Sequence, residues 1–328
     1  MSTTPSSLPQ STTASAPPRS DEDQQQSGAT GRPRTAGQRA LVLGGGGSTG
    51  NAWLIGVVAG LFDAGLDVTT ADLTIGTSAG STAAAQLAGA TPTELFAATV
   101  APPPQRPAGQ AGPDRGPVPS RRVPDQLERM RAIIASAEDA ADMRRRMGAA
   151  ALELEAASDG SWPARWRATV AGRLPSQSWP QRAVLITAVD ARTGDGVVFD
   201  GDSGVDLVDA VAASCSSGLP YRIGEGRYID GGYRRNENAD LAAGYGRVLV
   251  LSPFSGRTMH PLEWGMQLAA QVDELRAGGS RVETIYPDAS ADQLFGANAM
   301  DLSLRQPAAR AGYDQGRACA EQVAELWR

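Results

Sequence analysis

The pentapeptide Gly76-Thr77-Ser78-Ala79-Gly80 constrains this chain more than any other segment. In G-x-S-x-G a strand ends, the chain turns sharply and a helix begins, with the serine at the strained corner. Gly76 and Gly80 keep side chains from colliding across so tight a turn. Ser78 then presents its oxygen at a helix N-terminus, where free amides and the dipole favour developing negative charge. The flanking residues supply that context. Leu73 to Gly76 reads as a strand, and Ser81 to Ala88 as a helix of small residues.

A second glycine-rich segment lies upstream. Ala40 to Leu43 is a short apolar run of the kind that becomes a buried parallel strand. Gly44 to Gly50 follows as a loop. Asn51 to Ala64 then carries Trp53, Leu54, Val57, Val58, Leu61 and Phe62 at helical spacing. Strand, helix, strand, helix implies a parallel sheet covered by helices. The amides of Gly44, Gly45, Gly46 and Gly47, with that of Ala79, are the candidate oxyanion donors. Gly45-x-Gly47-x-x-Gly50 also fits a dinucleotide fingerprint. That motif wants an acidic residue at the end of the second strand, and Asp63, Asp67 and Asp72 all precede that end. A nucleotide site stays open as an alternative. A P-loop is excluded, because the chain has no Lys.

Residues 1–38 are rich in Ser, Thr, Pro and Gln and read as a disordered tail. Residues 39–328 read as one α/β catalytic domain, with a helical cap inserted at about 101–180. Within the cap, 101–120 is Pro- and Gly-rich and reads as a loop. Residues 124–157 read as helical, with Leu127, Met130, Ile133, Ile134 and Ala137 on one side. Trp162, Trp166 and Trp179 fall in a less regular stretch. The cap is either a helical pair packed on the core or an apolar lid over the substrate. The α/β pattern resumes with strands at Ala183–Val189, Arg227–Ile229 and Arg247–Leu251. Helices are expected at Val205–Ala213, 261–277 and 306–327.

The short strand ending at Ile229 leads into Asp230-Gly231-Gly232. Parallel α/β folds place their sites at carboxyl ends of strands, so Asp230 is the candidate base. Gly231 and Gly232 let a partner come close. A carboxylate in a desolvated pocket has a raised pKa and takes a serine proton directly. A Ser-His-Asp arrangement is the alternative, and His260 is the one histidine. The order Ser78, Asp230, His260 matches α/β-hydrolases, but there several strands precede the nucleophile. Thr258 to Pro261 reads as an exposed helix entry with nothing nearby to orient the ring, which makes His260 a surface residue by default.

Charge and cysteine content narrow the partners. Asp and Glu number 36 against 30 basic residues, every one of them Arg, for a net charge of −6. Nucleic acid is not an expected partner, nor is simple docking on anionic lipid. Cys215 and Cys319 imply no disulfide framework and a reducing compartment. No apolar leader and no run near ~18 apolar residues is present, so a soluble cytoplasmic protein is expected. No cluster with metal-ligand spacing occurs, so neither metal nor cofactor is expected.

Taken together, these blocks resemble the patatin-like phospholipases over roughly residues 40–254, with 101–180 unmatched. Leu43 to Gly50 looks like the family's oxyanion loop. Gly76 to Ser81 looks like its elbow, implying Ser78 as nucleophile. Gly226 to Gly232 looks like its dyad block, implying Asp230 as base. Ala213-Ser214-Cys215 with Gly218 and Pro220 is similar to a weaker block near the site, and Asn236 also fits. Two positions depart. Thr49 stands where many members carry Arg or Lys, and Asn238 where they carry Pro. The resemblance implies a three-layer fold with a mainly parallel sheet. It also implies a serine acyl hydrolase that acts on lipid or small acyl esters through an acyl-enzyme. Transient contact of the cap with a membrane surface is part of that expectation.

Overall fold

The computed structural model describes residues 37–102 and 122–328. Residues 1–36 of the expected tail and 103–120 of the expected loop lie outside the described residues. In chain order the elements are β1 (Arg39–Leu43), α1 (Gly47–Asp63), β2 (Leu73–Gly76), α2 (Ala79–Gly89), α3 (Pro92–Val100), α4 (Arg122–Ser136), α5 (Ala140–Ala156), α6 (Trp162–Ala171), β3 (Ala183–Asp190), β4 (Gly196–Phe199), α7 (Leu207–Ser214), β5 (Tyr221–Ile223), β6 (Gly226–Asp230), β7 (Arg247–Leu251), α8 (Leu268–Ala277), β8 (Arg281–Ile285), α9 (Arg305–Ala318) and α10 (Ala320–Trp327).

Successive strand residues point to opposite faces, and both faces of this sheet are apolar. The strands order as β5-β6-β3-β2-β1-β7-β8, with β4 also on β3. From β3 to β8 every neighbour is parallel. β4 and β6 run antiparallel to β3, and β5 antiparallel to β6. Leu41, Leu43, Ile186, Leu249 and Leu251 face a large core built with α1, α2, α7, α9 and α10. Ala40, Val42, Ile75, Val248 and Val250 face Leu268, Val272 and Leu275 of α8 on the other side. The result is three layers, as expected. Each fully buried Leu or Ile contributes about 1.5–3 kcal/mol by leaving water.

The segment expected as a cap falls into separate elements. The expected helix at 124–157 is two, α4 and α5, and the side chain of Asp139 caps the second by accepting from the Asp142 amide at 2.7 Å. Met143, Met147 and Ala151 of α5 are buried against Val189 and Ile229 of the sheet. The described part of this pair therefore packs on the core. α6 is not irregular. Its Trp166 indole donates to the Ala212 carbonyl of α7 at 3.0 Å, and Val170 joins the main core. The expected helix at 306–327 breaks at Cys319 into α9 and α10. Among the described residues no helix is long and apolar enough to cross a membrane.

Candidate active site

The elbow forms at the carboxyl end of β2. Ser78 sits between Gly76 and α2 with φ 51° and ψ −112°. A non-glycine residue held there stores roughly 1–3 kcal/mol of strain. Both flanking glycines are dictated by close approach. A Cβ on Gly80 would lie 1.8 Å from the Leu43 carbonyl oxygen, and one on Gly76 would lie 2.6 Å from the Ser81 Cα. The strain is held in place by hydrogen bonds on both sides of the serine. Its amide donates to the Ser214 hydroxyl oxygen at 2.9 Å. Its carbonyl accepts from the Ser81 hydroxyl at 2.7 Å and from the Cys215 thiol at 3.1 Å.

Asp230 ends β6, a strand antiparallel to its neighbour rather than parallel. Its Oδ2 accepts the Ser78 hydroxyl at 2.8 Å. Its Oδ1 accepts the Gly232 amide at 2.8 Å. The residue is 9% exposed. Burial pushes its carboxyl up to about 6, against the opposing pull of the Gly232 amide and the Ser78 hydroxyl. The carboxylate is thus ionised at neutral pH yet a far better proton acceptor than an exposed aspartate. Gly231 has no room for a side chain, since a Cβ would lie 2.4 Å from the Thr187 carbonyl oxygen.

The glycine segment contributes less than its sequence suggests. The Gly44 amide donates to the Leu251 carbonyl at 3.0 Å, and the Gly45 amide to the Asn236 carbonyl at 3.0 Å. Both are already committed, which corrects the expectation that Gly44 and Gly45 are oxyanion donors. Helix α1 also starts at Gly47, four residues before Asn51. Gly46 and Gly47 therefore stand at a helix N-terminus, and among the described residues their amides and that of Ala79 have no backbone acceptor. The two helix starts converge, because a Cβ on Gly50 would sit 3.9 Å from the Cβ of Ala79.

This packing also argues against the dinucleotide reading. Side chains at Gly45, Gly46 and Gly47 would meet Asn236, Pro253 and Ala299 at 2.6, 2.6 and 2.7 Å. Those glycines accommodate the protein's own loops. His260 is not between serine and carboxylate, which bond directly. Its Nδ1 pairs with the Thr258 hydroxyl at 2.7 Å, and its ring stands 6.1 Å from that of Trp264. It is half-buried rather than on the surface, and burial pushes its pKa down to about 4.

Two residues that the sequence did not single out for the site hold it together. Asn238 adopts a left-handed conformation, φ 53° and ψ 37°, which proline's ring forbids. Its amide group donates to Thr77 at 3.0 Å, Thr187 at 3.2 Å and the Gly231 carbonyl at 3.2 Å. Elbow, central strand and dyad turn meet on one buried side chain. Glu237 is buried against Gly44 and accepts from Asn236 at 2.8 Å and Ser252 at 2.7 Å. Burial raises its pKa. The departure from proline at 238 was the available signal for the first, and an acid next to Asn236 for the second.

Comparison with known proteins follows the geometry. The family model for patatin-like phospholipases matches residues 41–243. No curated protein matches the chain. Among solved structures, VipD from Legionella pneumophila is 14% identical with a TM-score of 0.41, over 88% of this chain and 68% of that one. The type III effector protein ExoU is 16% identical with a TM-score of 0.36, over 87% of this chain and 53% of that one. The family match spans the glycine segment, the elbow and the dyad turn alike, and the chain belongs to the patatin-like phospholipases, a family of lipid acyl hydrolases.

Proposed function

We propose that this lipid acyl hydrolase works through Ser78 as nucleophile and Asp230 as general base, with an acyl-enzyme intermediate. The observation that carries the reading is the 2.8 Å bond from a strained serine hydroxyl to a buried carboxylate. Ser78 Oγ attacks the ester carbonyl carbon as its proton passes to Asp230 Oδ2. The carbonyl oxygen takes the negative charge and lies among the amides of Gly46, Gly47 and Ala79. On collapse the ester C–O bond breaks, and Asp230 returns the proton to the departing alkoxide. Water then attacks the acyl-enzyme and gives its proton to Asp230, and Ser78 leaves as the hydroxyl.

The 216–218 loop stands beside the dyad. The Ser216 carbonyl accepts the Asp230 amide at 2.9 Å, and Gln126 of α4 donates to the neighbouring Ser217 carbonyl. The cap helix thus stands against the loop beside the base, which is the support for cap contact with lipid.

Labelling by a fluorophosphonate tests the dyad. Wild type and His260→Ala should label alike, Ser78→Ala should not label, and Asp230→Asn should slow about 10²–10⁴-fold. Loss of labelling in folded His260→Ala would replace the dyad by a triad.

A further inference from the structure

Four half-buried arginines of this chain, Arg167, Arg227, Arg234 and Arg235, each meet a carboxylate. Among the arginines without an ion-paired carboxylate in the described residues, two line the same cavity, half-buried Arg305 and exposed Arg173. Arg305, at the start of α9, and Arg173, just after α6, share a cavity of about 410 Å³ with Ile55, Gln86, Leu95 and Leu174. No Asp or Glu lines it, among the described residues, although the chain as a whole is acidic.

The two cations have only neutral partners. Arg305 Nη1 donates to the Ser48 carbonyl at 2.7 Å, and Nη2 to Asn51 Oδ1 at 3.2 Å. The Arg173 guanidinium lies over the Trp166 ring at 5.3 Å. Burial first, and then repulsion from Arg173, lowers the Arg305 pKa. Arg305 is the desolvated member of the pair, and holding it beside a second cation is costly unless an anion joins them. A guanidinium pair is matched in shape and charge to phosphate oxygens.

The cavity also adjoins the elbow. Asn51, which holds Arg305, donates to the Gln86 side chain at 2.9 Å and reaches the Ala79 carbonyl at 3.5 Å. Its cationic end is therefore one side chain away from the residue after Ser78. Its walls, Ile55, Leu95 and Leu174, are apolar. The glycine segment itself carries no cation, since Thr49 is buried there with its hydroxyl unpaired.

We propose that this cavity binds a phosphate group, clamped by Arg173 and Arg305. The group is either the headgroup phosphate of a lipid substrate or free phosphate. The first source rests on the hydrolase reading above, and the site itself does not.

Binding is measured on the full chain by ³¹P line broadening. Inorganic phosphate is titrated into wild type, and monomeric dihexanoylphosphatidylcholine into Ser78→Ala, which keeps the lipid intact. Arg173→Gln and Arg305→Gln should each weaken phosphate binding about tenfold or more. Arg305 also braces Ser48, so Arg173→Gln, whose guanidinium makes no hydrogen bond among the described residues, is the decisive variant if Arg305→Gln fails to fold. Lipid that displaces phosphate, and does so only with both arginines present, assigns the headgroup. Phosphate binding that needs the arginines but resists the lipid assigns free phosphate. Binding of both ligands unaltered by folded Arg173→Gln, or no binding of phosphate to wild type and of lipid to Ser78→Ala, overturns the proposal. Fluorophosphonate labelling of the same preparations separates that result from failure of the hydrolase reading, because labelling needs Ser78 and not the arginines.

Discussion

The Asn238 side chain donates to the Thr77 hydroxyl at 3.0 Å across 161 residues of sequence, and Thr77 immediately precedes the elbow serine. The same amide group holds the turn that follows Asp230. A single buried side chain thus fixes the distance between the two halves of the proposed dyad. Asn238→Ala leaves buried hydroxyls and a carbonyl short of a partner, at about 1–3 kcal/mol. Its expected signature is a lower melting temperature together with slower labelling of Ser78. Asn238→Pro should be worse, because φ 53° is closed to proline. A Pro variant as stable as wild type by thermal unfolding would contradict this account.

On the proposed mechanism the Asp230 carboxyl sets the pH dependence. With its pKa at about 6, the base is ionised above pH 6 and protonated below. Ester hydrolysis and labelling should rise with pH, level off above about 6, and fall roughly tenfold per unit below it. A profile that shows no bend near 6 would remove Asp230 from the rate-determining proton transfer.

The same shift has the opposite sign for stability. The folded pKa lies above the unfolded value, so the folded state binds more protons between about 4 and 6. The cost of a buried charge is complete above pH 6 and relieved as pH falls through that window. Asp230→Asn removes it. At pH 8 that variant should be more stable than wild type by on the order of 2–3 kcal/mol, while labelling about 10²–10⁴-fold more slowly. Lower stability of Asp230→Asn at pH 8 would count against the desolvated carboxylate.

Glycines of the site should differ in tolerance according to what surrounds them. Gly80→Ala drives a methyl to 1.8 Å from the Leu43 carbonyl, against backbone that cannot move without parting β1 from the elbow. Loss of soluble folded protein is expected. Gly46→Ala meets the Pro253 ring at 2.6 Å, and relief there displaces the amides at the start of α1. Folded protein with kcat lowered about 10²–10³-fold is expected. Wild-type kcat in Gly46→Ala would exclude those amides from the oxyanion site.

Ser214→Ala tests whether the elbow's strain is externally held. The variant leaves the Ser78 amide without its acceptor at 2.9 Å. It should lose about 1–2 kcal/mol of stability and label more slowly, whereas Ser214→Thr, which restores the oxygen, should recover both.

Much of this arrangement was legible in the residues themselves. β2 and β7 fall where their apolar runs begin and end, and the elbow's glycines announced the turn. Elements that lean on distant partners were not. β8 reads Arg-Val-Glu-Thr-Ile, too polar for a buried run, because it is the last strand of the sheet and its Arg281 and Glu283 side chains meet α10 at the surface. β4 and β5 are short antiparallel additions whose pairing no local pattern encodes. Helix α6 carries two tryptophans and a proline near its start, and it is its packing on α7 that settles it as a helix. The commitment of the Gly44 and Gly45 amides was invisible for the same reason, since their acceptors are carbonyls some two hundred residues downstream.

That last feature has a bearing on biosynthesis. Ser78 emerges early, but its carboxylate partner follows 152 residues later, and the carbonyls that seat Gly44 and Thr49 belong to Leu251 and Ala299. A nascent chain on the ribosome therefore carries a serine that is no more reactive than any other. On the proposed mechanism the hydroxyl is armed only after nearly the whole domain has been made and β7 has zipped onto β1. A lipid acyl hydrolase is in this way kept inert through the interval in which it is least folded and least controlled.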